Sequence, residues 1–237
     1  MPELNTMKTP ENINILFVAR TYPPLVGGME RFASDFYRYM GKLANVRLIA
    51  NPKGKKMVVF FFLRVMIFLI INGRKFDLVH FNDAILAPLL PVIRIFSRAK
   101  ITFTVHGLDI VYTKFGYQRL VIPFLRRADQ IFPVSQYTRE QCLNRGVMPE
   151  KMTVIPNGLD FSGIKPCQED FKTSLFSNLG TELTDKTILL SLGRLIPRKG
   201  HAWFIEEVFS KLPENYYYLI TGNGPEFDNL NEQINSL

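Results

Sequence analysis

The chain has 237 residues, 47% of them apolar, enough to bury a full core in one large or two smaller domains, which excludes a disordered chain. Its formal charge of +8 is uneven: residues 1–160 hold 22 Lys and Arg against 11 Asp and Glu, whereas residues 161–237 hold 7 against 10, so the first half is the one suited to an anionic surface or partner. Cys142 and Cys167 are too few for a disulfide framework and lack metal-ligand spacing, and residues 1–14 lack the basic start and apolar run of a secretory signal, which together fit an unexported, cytoplasmic protein.

Apolar runs of strand length occur at Ile13 to Ala19, Val46 to Ala50, Asp77 to Phe81, Lys100 to Val105, Asp129 to Val134 and Met152 to Ile155. Between them lie helix-length segments at Met29 to Lys42, Met57 to Ile71, Ala84 to Phe96, Tyr117 to Arg127 and Gln136 to Arg145. This alternation predicts an α/β domain, a doubly wound parallel sheet covered on both faces. The loop after the first strand carries Gly27, Gly28 and Glu30. Paired glycines let a ligand approach the backbone and free N–H groups at a helix start for an anion, while a carboxylate in the first turn, such as Glu30, has both a dipole-stabilising and a functional reading. Three spaced glycines of a dinucleotide fingerprint are missing there, which argues against a nicotinamide enzyme.

Residues 57–71 are apolar apart from Arg64 and are bracketed by Lys53, Lys55 and Lys56 on one side and Arg74 and Lys75 on the other. A membrane span needs roughly 20 apolar residues, so this run does not cross a bilayer. It is either a helix buried against the sheet or an in-plane helix resting on anionic lipid, which would place the protein peripherally on the inner face of the membrane. No nucleic-acid motif accompanies the charge, so no nucleic-acid partner is expected.

His80 and His106 each end a predicted strand, beyond which ligands bind in an open α/β sheet. His106, followed by Gly107 and Asp109, can hydrogen-bond a substrate hydroxyl or developing negative charge. Pro156, Asn157 and Gly158 supply turn residues, and the less periodic stretch after Asp160 marks a domain boundary, giving domains 1–160 and 161–237. A second unit then offers strands at Thr187 to Leu192 and Asn215 to Thr221 and a helix at His201 to Leu212, with Gly222-Asn-Gly224-Pro225 opening a last helix. Two strands and two helices are too few to enclose a core, so this domain reads as incomplete. Its first strand ends in Gly193-Arg194-Leu-Ile-Pro-Arg-Lys199-Gly200, where a glycine turn feeds a helix and two cations suit a diphosphate. His201, at that helix start, reads as structural.

Gly27-Gly28-Met-Glu30, Thr104-Val-His106-Gly107-Leu-Asp109, Val154-Ile-Pro156-Asn157-Gly158-Leu-Asp160, the Gly193 to Gly200 stretch and Gly222-Asn-Gly224-Pro225 together resemble, in order, the family-4 retaining glycosyltransferases of the GT-B fold. The resemblance implies two Rossmann-like domains, an acceptor-side domain over 1–160 and the start of a nucleotide-sugar-binding domain over 161–237. It implies transfer of a sugar from a nucleotide diphosphate sugar to an acceptor hydroxyl with retention, in cell-surface polysaccharide, lipopolysaccharide or glycolipid synthesis, the acceptor being lipid-linked or a polysaccharide. Carried over by position, Arg194 and Lys199 clamp the diphosphate, Gly28 contacts phosphate or sugar through its backbone, His106 is the catalytic-site residue that holds the sugar, and Gly222 and Gly224 line the nucleotide side. Gly27, Glu30, His80 and Asp109 are secondary candidates, and paired cations take the place of a metal or other cofactor. The paired glutamates of complete members do not occur, Glu206 with Glu207 and Glu226 with Glu232 being wrongly spaced. The expectation is therefore a chain inactive alone; a non-catalytic membrane or acceptor-binding module and one half of a split enzyme are the alternatives.

Overall fold

In the computed structural model, which describes residues 12–113, 116–161 and 186–236, five of the six apolar runs in the first half pair into one all-parallel sheet. The strands are β1 (Asn14–Ala19), β2 (Asn45–Ala50), β3 (Leu78–Phe81), β4 (Lys100–Val105) and β5 (Gln130–Pro133), in spatial order β2-β1-β3-β4-β5. The sixth run stays beside β5 by an Ile131–Met152 bridge and by bonds from the Thr153 and Ile155 N–H groups to the Ile131 and Pro133 carbonyls, at 3.1 and 3.0 Å. It does not extend into a full ladder, because Pro133 turns a nitrogen without hydrogen toward that edge.

The path β1 to β2 moves to one side of β1, and β2 to β3 crosses back. With right-handed crossovers this puts α1 (Gly28–Met40) on one face and the later helices on the other. Packing agrees. Leu16 and Val18 of β1, Val79 and Phe81 of β3, and Ile101, Phe103 and Val105 of β4 meet α2 (Val58–Asn72), α3 (Leu90–Phe96) and α5 (Tyr117–Leu125) in the main core. Phe17 and Ala19 point the other way, to Ala33, Phe36 and Tyr37 of α1. A central strand buried on both sides has no polar face, which is why β1 reads as an unbroken apolar run.

Helix limits follow local chemistry. Ala84 to Phe96 is not one helix: Pro88 and Pro91 lack N–H groups, and the chain makes a tight 3-10 turn over Ala84–Leu89 before α3. α4 (Leu108–Val111) follows β4, and α6 (Gln136–Leu143) starts at Ser135, whose Oγ accepts from the Thr138 N–H at 3.1 Å. α2 buries Phe61, Val65 and Leu69 against the sheet, as the first of the two readings expects, and leaves its opposite side exposed.

The chain divides into two units, 1–160 and 161–237. In the second, β6 (Thr187–Leu192) and β7 (Tyr216–Thr221) form a parallel pair. α7 (His201–Glu207) is followed by a 3-10 turn over Phe209–Lys211, so the helix expected to run to Leu212 breaks at Val208. With α8 (Phe227–Asn235) it encloses a small core of Leu195, Ile205 and Leu230, while Leu190 and Leu192 remain exposed.

Candidate functional site

The strand order reverses between β1 and β3, and the loops beyond the carboxyl ends of β1, β3 and β4 carry a buried polar cluster. Arg20, just past β1, binds Asp83, just past β3, with Nε 2.6 Å from Oδ2. Asp83 is 1% exposed, and its other oxygen accepts from the Ile85 N–H at 3.1 Å, which starts the Ala84–Leu89 turn. Asp109 ties the other two loops together: Oδ1 accepts from the His106 N–H at 2.9 Å and Oδ2 from the Ala84 N–H at 3.2 Å. Burial, reinforced by the negative charge of Asp83, pushes the Asp109 carboxyl up to about 7.

His106 stands where its sequence position placed it, past β4, edge-on to Phe32 with ring centroids 5.1 Å apart. Nε2 lies 3.1 Å from the Asn82 carbonyl oxygen and so carries the proton. Burial lowers its pKa against the opposing pull of Asp83, favouring the neutral ring. A neutral ring with Nε2 protonated keeps Nδ1 as an acceptor, suited to a donating hydroxyl. Thr21 Oγ1, Asn82 Nδ2 and Tyr117 Oη are buried without partners among the described residues. Arg20, Asn82, Asp83 and Tyr117 were not singled out from the sequence, although Asn82 and Asp83 carry the same signal as His106, polar residues directly after an apolar strand.

Gly27 and Gly28 open α1 in the same region. A Cβ on Gly27 would collide with the Glu30 carboxylate, which folds back over the helix start, whereas the Gly28 backbone faces open space. His80 is placed differently from His106. It is 2% exposed, its Nδ1 and Nε2 lie 2.7 and 3.1 Å from the Thr102 and Thr104 hydroxyls, and its ring stacks on Phe36 at 4.7 Å. Burial drives its pKa down to about 3, so it is a neutral part of the α1 face of the sheet. Next to it Phe32, Phe36, Thr102, Thr104 and Phe132 line a cavity of about 670 Å³, which includes Gly28 but not His106 or Asp109.

In the second unit the loops after β6 and β7 are joined by backbone bonds: Gly193 N–H to the Thr221 carbonyl at 2.9 Å, Leu195 N–H to Asn223 at 3.0 Å and Glu226 N–H to Leu195 at 3.1 Å. Side chains on Gly222 or Gly224 would run into the Gly193 and Leu195 carbonyls, so both glycines are there for close backbone approach. Arg194 and Lys199 are exposed on this pinned loop, and the Lys199 side chain passes over Gly193. His201 is buried, with Nδ1 3.2 Å from the Tyr218 hydroxyl, which donates to Ser191 at 2.8 Å. The structure thus gathers the candidates within two groups, His106 with Asp109 in one unit and Arg194 and Lys199 with Gly222 and Gly224 in the other. Among the described residues no cluster of His, Cys, Asp or Glu is arranged to hold a metal, and no helix is long and apolar enough to cross a membrane.

The chain is similar in fold to solved structures of HepE from Anabaena, one of them a complex with UDP (19% identity, TM-score 0.73, 94% of this chain and 66% of that one). It is also similar to sucrose-phosphate synthase from Thermosynechococcus elongatus (14%, 0.64, 95% and 66%) and to the lipopolysaccharide outer core galactosyltransferase WaaB (16%, 0.62, 94% and 65%). It therefore spans slightly less than two thirds of these chains, and the likeness is one of fold, the parallel-sheet α/β architecture of GT-B glycosyltransferases. No curated protein sequence matches it. Residues 26–162, more than half of the chain and including Gly28, Asp83, His106 and Asp109, match the family model described as Glycosyltransferase Family 4, and the chain belongs to that family.

Proposed function

We propose that this chain takes part in transferring a sugar from a nucleotide diphosphate sugar to an acceptor hydroxyl with retention of configuration, residues 1–160 serving the acceptor side and residues 161–237 the donor diphosphate. The acceptor class that fits is a lipid-linked or polysaccharide substrate of surface glycan or glycolipid synthesis. The observation that carries the reading is the Gly193–Gly200 loop: two exposed cations, Arg194 and Lys199, on a backbone held by the Gly222–Gly224 loop, in a chain of this family. HepE, similar in fold, is seen in complex with UDP and with UDP-glucose.

As the glycosidic bond to the donor phosphate breaks, negative charge grows on the departing diphosphate. A guanidinium and an ammonium on this loop stabilise it, the role a metal ion plays elsewhere. The open backbone at Gly28 admits a phosphate or sugar oxygen against the start of α1, where dipole and N–H groups favour an anion. His106 accepts at Nδ1 from a sugar hydroxyl while Nε2 stays on the Asn82 carbonyl.

Calorimetric titration with UDP and UMP tests the clamp. The chain should bind UDP more tightly than UMP, and Arg194→Ala with Lys199→Ala should reduce UDP affinity at least tenfold, about 1.4 kcal/mol, while leaving UMP nearly unaffected. Equal UDP affinity in the double variant removes the assignment.

A further inference from the structure

The outward side of α2 is apolar where a helix on a protein surface is ordinarily polar. Val59 (74% exposed), Phe60 (62%), Leu63 (46%), Ile67 (51%), Ile70 (40%) and Ile71 (71%) all lie open. At 3.6 residues per turn they fall within an arc of about 120°, opposite Phe61, Val65 and Leu69, which hold the helix to the sheet. Six such side chains on one continuous stripe are a patch rather than scattered surface apolar residues.

What would cover this patch is indicated by charge. From Asn45 to Phe76 the sequence has seven Lys and Arg and no Asp or Glu. Lys53 before the helix, Arg64 at the edge of the stripe, and Arg74 and Lys75 after it are exposed. At the start of the helix a cleft of about 180 Å³, lined by Lys53, Met57, Phe60 and Arg64 among others, combines apolar walls with two cations. A protein partner's contact surface is poor in lysine. Acyl chains bordered by phosphates match both features, and at 15 residues the helix is too short to span a bilayer.

We propose that α2 is a membrane-docking helix that lies in the plane of an anionic bilayer, its apolar stripe among the upper acyl carbons and Lys53, Arg64, Arg74 and Lys75 on headgroup phosphates. This goes beyond the catalytic reading and does not depend on it, since binding is measured without donor or acceptor.

The full chain is sedimented with vesicles of phosphatidylcholine, with and without phosphatidylglycerol, at low salt and at about 1 M, where the Debye length falls to about 3 Å. Binding is expected to the anionic vesicles and to weaken steeply at high salt. Phe60→Glu with Ile67→Glu should lower partitioning at least tenfold with an unchanged melting curve, since both side chains are already exposed. Arg74→Gln with Lys75→Gln should lower it by roughly fivefold per charge and flatten the salt dependence. Three results overturn the proposal: no binding to anionic vesicles, binding unaffected by Phe60→Glu and Ile67→Glu, or a wild-type dimer that this pair makes monomeric without any vesicle binding, which would assign the face to a second copy of the chain.

Discussion

The residue with most at stake is Asp83. It is nearly fully buried, and it neutralises Arg20 and caps the turn that leads to α3. Asp83→Ala leaves a guanidinium only 21% exposed without its counter-ion, and breaking a buried pair in this way costs about 3–5 kcal/mol. The urea midpoint should fall accordingly. Arg20→Ala should cost a similar amount by stranding the carboxylate, and the double variant should cost less than the sum because neither charge is then left alone. Additive losses would show that the two charges are solvated independently. His106 illustrates what a sequence says at this scale: a histidine between an apolar strand and a glycine is placed by its neighbours at the crevice. Which ring nitrogen is engaged depends on the Asn82 carbonyl, 24 residues away in the chain, and no spacing rule contains that.

At the scale of elements, the strands and their order follow from apolar runs and crossover handedness, whereas what interrupts them is set by prolines acting on particular bonds. Pro88 and Pro91 split one expected helix, and Pro133 keeps the Met152 segment from completing a sixth strand. α2 shows where the pattern is silent: a helix apolar on every side has no periodic signal, and only contact with the sheet selects Phe61, Val65 and Leu69 as its inner face. The cavity beside His80 was equally hidden, because alternating Thr102 and Thr104 read only as the second face of a strand and say nothing of what covers it. The glycine turns of the second unit were legible in outline, but the backbone contact between them was not. It gives a prediction at this scale: Gly222→Ala places a methyl group against the Gly193 carbonyl and should destabilise the β6–β7 unit by about 1–3 kcal/mol. The loss should appear as a selective rise in amide exchange over residues 187–195. An unchanged exchange pattern would mean that the two loops separate without cost.

Across the first unit as a whole, buried titrating groups of opposite sign shape stability against pH. His80 stays neutral in the fold down to about 3, while the unfolded chain takes up its proton near 6.5. Its contribution is complete above pH 6.5 and is lost as pH falls from there, by up to about 1.4 kcal/mol per pH unit. His106, lowered by the same burial, acts in the same direction. Asp109 does the reverse. With its folded value raised to about 7 from 3.8, the fold retains a proton that the unfolded chain releases, so its burial costs nothing below about pH 3.8 and costs progressively more as pH rises to about 7. Between about pH 5 and 6.5 the slopes of His80 and Asp109 oppose one another, and the wild-type chain should show little net dependence from this pair. Asp109→Asn removes one side of the balance, so stability measured by urea unfolding should then fall as the solution is acidified through that window, by up to about 1.4 kcal/mol per pH unit relative to wild type. His80→Leu should change the slope by the same amount in the opposite sense. The slope is the informative quantity, because each variant also carries a constant cost from the hydrogen bonds it loses to Thr102 and Thr104, or to the Ala84 and His106 N–H groups. Parallel pH profiles for wild type and both variants would mean that these groups titrate as they do in water, and the crevice would then have to be open to solvent rather than dry.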